Sequence, residues 1–347
     1  MNRRSLLRGV ATTGSVLALN GLAPMAFAAP VEHAPVTIER LPKLSGTLTL
    51  YLGRGEGGLY ENILAAIERR NPDLKLKVRR GPSTALANAL VAEARMSRVR
   101  ADVFWSIDAS SLGLVAEQSS PAPIPADLSA QLSPAYRYKR WLPISGRIRT
   151  LPFNTGRVSR AQLPATVMQL PESDLTFGWA PAYGAFQSFI TAMRILEGED
   201  ATGAWLEALA SKSKPYAGEF GVVMGVSRGE ADLGFANHYY TLRLKQGNAQ
   251  VPVDLGFTEN DAGSLLNASG AVLLNDSDLA TGFVRHLLTE QVQSFLAREA
   301  FEIPLVRGVQ GPQGLPPVAT LKPPAIDLEA LSDLKPTLAL LRRVGVL

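Results

Sequence analysis

The chain contains no cysteine. That excludes a disulfide framework, zinc sites of the thiolate type and lipid attachment to a cysteine after a leader. Histidine is almost as scarce: His33, His238 and His286 are too few for a histidine-rich metal site. Beyond the N-terminus no run of eighteen apolar residues occurs, so no membrane span is expected in the mature protein. Charge of either sign is also in short supply. There are 35 Lys and Arg against 31 Asp and Glu. The first 28 residues hold Arg3, Arg4 and Arg8 and no acid, which leaves 32 against 31, a net of +1, for the rest. That balance carries no electrostatic footprint of a nucleic-acid binder.

What is present is a leader and an ordinary globular composition. The first residues read MNRRSLLRGVATTGSVLALNGLAPMAFAAP: arginines, then an apolar stretch, then Ala26-Phe27-Ala28, an A-x-A cleavage signal. Arg3-Arg4 before Ser5-Leu6-Leu7 fits a twin-arginine export signal, with cleavage expected after Ala28. A free, exported, cysteine-less protein suits a periplasm. The full sequence has the apolar and charged shares of a soluble protein, 46% and 19%, and 347 residues suffice for two lobes.

Residues 29–45 are rich in proline and read as an N-terminal arm. From Thr47 the pattern alternates. Strands are expected at 47–52, 74–78 and 102–105, and helices at 59–70, 86–96 and 110–117, the last opened by a serine cap. Residues 119–135, SSPAPIPADLSAQLSPA, read as a connection. A second series follows, with strands at 147–151, 176–179, 231–235 and 271–274. Its helices fall at 186–196, 201–210, 220–227, 277–289, 290–299 and 335–344, and 302–326 is loop-like. Alternating strands and helices predict α/β units with largely parallel sheets. Two such units in an exported chain predict a bilobed binding protein with its ligand beyond the C-terminal strand ends.

The strand at 231–235 ends in NHYY, residues 237–240, at the start of a helix. Two readings of Tyr239 and Tyr240 stand open. Tyrosines commonly sit half-buried at such boundaries. Alternatively, a hard trivalent cation acidifies phenols, whose pKa in water is about 10, enough for phenolate ligation; an oxygen cage of that kind favours ferric iron over zinc or copper. Gly225-Val226-Ser227-Arg228-Gly229 also fits G-x-S-x-G, but the order here is helix, turn, strand, whereas a nucleophile elbow needs strand, turn, helix. A hydrolase would require a histidine within reach of Ser227. The four tryptophans read as packing residues.

Several stretches, in order over residues 46–347, carry a resemblance: LTLYLGRGEG (48–57), ADVFWSIDASSLG (101–113), SGRIRTLPFNT (145–155), GWAPAYGAFQSFITAMR (178–194), KPYAGEFGVVMGVSRGEADLGFANHYYTLRLK (214–245), DAGSLLNASGAVLL (261–274), EIPLVRGV (302–309) and DLKPTLALLRRVGVL (333–347). The chain resembles the periplasmic ferric-iron-binding proteins of ABC importers, within the extracellular solute-binding proteins. The resemblance implies a type II bilobed α/β fold with a hinge: lobe 1 from 46–145 and 270–300, lobe 2 from 146–269 and 301–347. It implies iron held by Tyr239 and Tyr240, with Tyr183 making the three-tyrosine type, in which a synergistic anion is not required. The first lobe departs from the pattern. Gly55 stands at the family's histidine position and Ile107 at a family glutamate position, beside Asp108. Glu56 is therefore the expected first-lobe ligand, or else a solvated acid at a helix start. Glu219 stands where relatives carry an anion-contacting asparagine; it is expected to act in the anion's place or to cap helix 220–227. Arg54 is expected to balance phenolate charge, or to form a surface ion pair of little value. Asn237 and Ser145 are expected to hydrogen-bond behind the ligands, and His238 to be structural. The implied partners are a membrane permease and its ATPase, with the protein itself a monomer that does no chemistry. The alternative is a binder of the same fold for an organic anion such as a phosphorylated sugar or phosphonate.

Overall fold

The computed structural model of the chain describes residues 35–53 and 58–347. The leader, residues 29–34 of the arm with His33, and the stretch holding Arg54, Gly55 and Glu56 lie outside the described residues.

Strand β1 (Gly46–Gly53) runs between two neighbours and buries Leu48, Leu50, Tyr51 and Leu52. Helix α1 (Leu59–Arg70) buries Tyr60, Ile63, Leu64 and Ile67, the stripe expected of a helix lying on a sheet. Then come β2 (Leu74–Arg80), α2 (Ser83–Arg95), β3 (Val103–Ser106) and α3 (Ala109–Gln118). The serine cap expected for α3 is not there. The helix starts earlier, and Asp108 caps it by accepting from the Ser111 N–H at 2.7 Å. Ser110 lies inside the helix, where its hydroxyl donates to the Leu331 carbonyl. The connection at 119–135 contains one short turn of helix, α4 (Ala126–Ser129).

Strand β4 (Leu142–Asn154) is thirteen residues long and buried throughout, far longer than the expected 147–151. It has partners along its whole length, so even Ser145, Arg147, Arg149 and Thr150 are covered. An apolar pattern alone recognises just its middle. The series continues with β5 (Phe177–Trp179), α5 (Gly184–Glu197), α6 (Glu199–Ala210), β6 (Ser213–Pro215) and α7 (Glu219–Ser227). Gly198, at φ +91°, makes the turn between α5 and α6 that a side chain would strain. The strand expected at 231–235 is two short pieces, β7 (Leu233–Gly234) and β8 (Ala236–Asn237), which meet β4 at different places. After α8 (His238–Gly247) and β9 (Val253–Gly256) comes β10 (Leu266–Leu273), again longer than expected and wholly buried. Helices α9 (Asp278–Leu287) and α10 (Glu290–Glu299), the short β11 (Ile303–Pro304) and α11 (Leu334–Arg343) complete the chain.

The strands follow the order β2-β1-β3-β10-β4-β7-β5-β6, with β8, β9 and β11 also on β4. On one side of β4, β1 is parallel to β2 and β3, and β10 closes the unit antiparallel. On the other, β5 is parallel to β6 and β7. This is the expected two-lobed α/β architecture, with β4 running from one unit into the other, but the sheets are mixed where largely parallel ones were expected, because β4 and β10 pair antiparallel with their neighbours. One contiguous buried apolar cluster runs through both units. Tyr60 and Trp105 pack edge to face in the first. In the second, Phe235 sits 5.5–6.1 Å from Phe177, Phe186, Phe189 and Trp205. The tryptophans are buried, as expected of packing residues.

Candidate functional site

β8 delivers the chain to α8. Asn237 pairs with Arg149 of β4 and is also the N-cap of α8. His238, Tyr239 and Tyr240 therefore occupy the first helical turn, where successive side chains point about 100° apart. His238 turns inward and is fully buried, Tyr240 is nearly so, and Tyr239 is half-buried.

Tyr183 arrives from a different element. It is the N-cap of α5, with extended backbone, and its N–H donates to the Ala180 carbonyl at 2.9 Å. Its phenol oxygen lies 2.8 Å from that of Tyr240. The ring centroids of Tyr239 and Tyr240 are 4.5 Å apart. The Asn237 side-chain amide donates to the Tyr239 hydroxyl at 3.3 Å. Arg243, one turn further along α8, places its guanidinium 5.0 Å from the centre of the Tyr239 ring. Two helix starts thus bring three phenols to one place. Such a set can ligate a hard cation once it loses protons, and a cation of high charge drives that loss. Among the described residues, no three His, Asp or Glu side chains cluster as metal ligands.

His238 takes no part in that set. Its Nδ1 accepts the Ile148 N–H at 3.2 Å and its Nε2–H donates to the Phe301 carbonyl at 2.6 Å. Burial holds the ring neutral and pushes its pKa down to about 4. It is the expected structural histidine, and it ties the start of α8 to β4 and to the end of α10.

Glu219 is sealed from solvent. One oxygen accepts from Arg149 at 2.5 Å and the other from the Asn237 N–H at 2.9 Å. It sits in the first turn of α7 behind the N-cap Gly218, and its carboxylate reaches to α8 instead of capping its own helix. Ser145 points toward the first unit. Its hydroxyl donates to Glu302, which also accepts from Tyr60, and Ser269 Oγ lies 2.6 Å away. Asp108 faces its own helix as the α3 cap, and the adjoining Ile107 carbonyl accepts from Arg147. Arg54 and Glu56 lie outside the described residues. Arg149 and Glu302 were not anticipated. Two arginines at alternate positions of a buried strand, Arg147 and Arg149, were the available signal. Their partners are tens of residues away in sequence.

Among the described residues no histidine ring nitrogen bonds Ser227. Ser227 Oγ donates to the Met224 carbonyl at 2.8 Å from the end of a helix. The ring nitrogens of His238 and His286 are engaged elsewhere.

The chain is similar to a set of known proteins. The profile of the bacterial extracellular solute-binding proteins matches residues 53–294. The Fe(3+)-binding periplasmic protein of Serratia marcescens is 30% identical over 289 residues, 80% of this chain and 85% of that one. The major ferric iron-binding protein of Neisseria gonorrhoeae is 30% identical over 288 residues, 80% of this chain and 87% of that one. The crystal structure of iron-bound HitA from Pseudomonas aeruginosa superposes with a TM-score of 0.78 at 28% identity, covering 86% of this chain and 99% of that one.

Proposed function

We propose that this chain, which belongs to the bacterial extracellular solute-binding protein family, binds ferric iron, alone or as a small chelate, through the phenolates of Tyr183, Tyr239 and Tyr240. The observation that carries this reading is the 2.8 Å approach of the Tyr183 and Tyr240 hydroxyls, with Tyr239 alongside. Three phenolates carry three negative charges, so they neutralise Fe3+ without an added anion. Both Glu219 oxygens already have partners, so Glu219 acts by holding the chain and does not stand in for an anion. The relatives named above for ferric iron support the choice of ligand.

The proposal extends to steps beyond the tyrosines. Glu56, and Arg54 as a charge balance, join from the first lobe. Coordination from both lobes favours a closed state over an open one, because only that state completes the shell. The closed protein then docks as a monomer on an ABC permease, whose ATPase drives import. The lobes are 46–145 with 270–300, and 146–269 with 301–347. The leader Met1–Ala28 sends the chain to the periplasm by the twin-arginine route; Arg3→Lys with Arg4→Lys should leave precursor in the cytoplasm, and unaltered export would refute that route.

The test of the ligand is a visible absorption titration of the mature protein with ferric citrate. A broad phenolate-to-iron band saturating at one iron per chain is expected. A folded protein that shows no band refutes the reading, and phosphorylated sugars then become the ligands to screen.

A further inference from the structure

Three helices begin at the tyrosine cluster: α5 behind Tyr183, α7 at Glu219, and α8 behind Asn237. One buried ion pair joins all three starts. Arg149 reaches up from β4 and donates to Glu219 at 2.5 Å through one terminal nitrogen and to the Ala185 carbonyl at 2.5 Å through the other. Ala185 lies in the first turn of α5, two residues after Tyr183. The second oxygen of Glu219 accepts the N–H of Asn237, two residues before Tyr239. The chain of contacts runs from the Tyr183 helix, through Arg149 and Glu219, to the Tyr239–Tyr240 helix. The Phe189 ring, one turn down α5, covers the guanidinium at 5.4 Å. Gly218 brings the start of α7 against Tyr183: a Cβ there would be 3.9 Å from Tyr183 Cδ2.

The pair is an expensive way to stabilise a fold. Its side chains are 3% and 0% exposed, and Arg149 Nε is buried without a hydrogen-bond partner. Desolvating two charges commonly offsets their attraction, and apolar replacements of similar size often serve stability as well or better. What apolar side chains cannot do is hold the Ala185 carbonyl and the Asn237 N–H at a set separation. We infer that Arg149 and Glu219 are a positioning pair that fixes the distance between the Tyr183 hydroxyl and the Tyr239–Tyr240 pair, and so sets how tightly the site grips a ferric ion. This inference rests on the ferric reading above. Neither residue touches the ion. They act through the helix starts, as hydrogen-bonded supports behind metal ligands do in general.

The experiment compares the mature wild type with Glu219→Gln and with the double variant Arg149→Met/Glu219→Leu. Each is titrated with ferric nitrilotriacetate, and its urea midpoint and metal-free near-ultraviolet circular dichroism are recorded. Glu219→Gln breaks the pair and leaves an unneutralised guanidinium, so it should lower the urea midpoint. The double variant removes both charges and should recover most of that midpoint. Both should bind iron roughly 10–100-fold more weakly, the usual effect of losing a support behind a ligand. Both should also show a displaced charge-transfer band and an altered tyrosine dichroism. If the double variant recovers stability together with wild-type affinity and band position, the pair serves folding alone and the inference is wrong. A Glu219→Gln protein with wild-type band and affinity also overturns it. Absence of a band in the wild type instead removes the ferric reading, and the inference with it.

Discussion

Acid should unfold this protein partly through one buried histidine. His238 accepts at Nδ1 and donates at Nε2, so the folded state needs the neutral ring. Its pKa is pushed down to about 4 by burial, against about 6.5 in the unfolded chain. The unfolded state therefore binds a proton that the folded state refuses between those two values. Stability must fall as pH drops from about 6.5 to about 4, and this contribution levels off below that. Linkage over that window gives a loss of roughly 2–3 kcal/mol between pH 7.5 and pH 4.5 from this residue alone. The assay is urea unfolding at the two pH values for the wild type and for His238→Gln, which keeps a donor and an acceptor but does not titrate. Carboxylates contribute equally to both proteins, so the difference in acid loss isolates His238. The variant should start less stable at pH 7.5 and lose roughly 2–3 kcal/mol less on acidification. Equal acid losses in the two proteins would show that the ring is not held neutral, and the argument from burial would fail.

Other expectations follow from single contacts. Tyr240→Phe and Tyr183→Phe each remove the 2.8 Å hydroxyl contact; ferric affinity and the charge-transfer band should weaken sharply in titration, while metal-free urea stability falls by only about 0.5–1.5 kcal/mol, the net value of one hydrogen bond. Asp108→Ala removes the α3 cap and should cost about 0.5–2 kcal/mol by urea unfolding; because Asp108 faces its helix, the ferric band should not move. Phe235→Ala empties the centre of a ring cluster and should cost about 3–5 kcal/mol, measured as a lower unfolding midpoint. The Thr176 N–H and hydroxyl and the Arg157 guanidinium outweigh burial and hold Asp232 below the usual carboxylate range. Asp232→Asn should therefore lose stability at pH 7, with the gap to wild type closing as pH falls through the carboxylate range.

Local pattern foretold most elements, because each helix shows its apolar stripe within a few turns. α1 and α10 appear at their expected bounds, and those of α5 and α7 differ from expectation by no more than two residues. The departures have two causes. β4 and β10 outrun their expected lengths because neighbours cover them on both sides, which allows polar residues at buried positions. The cap of α3 was misassigned because two serines and an aspartate stand together there, and only backbone geometry decides which lies outside the helix.

For the site, the sequence by itself determined the chemistry on offer: no thiol, hardly any imidazole, and tyrosines at a strand-to-helix junction. It also placed Tyr239 and Tyr240 at a helix start, since capping and periodicity are properties of neighbouring residues. Tertiary structure alone decided that Tyr183 meets Tyr240 across 57 positions of sequence, that His238 turns away, and that Glu219 is locked to Arg149. Those outcomes depend on which strands β4 pairs with. Long-range pairing is settled by the packing of the whole chain and leaves no periodic mark on the residues it joins.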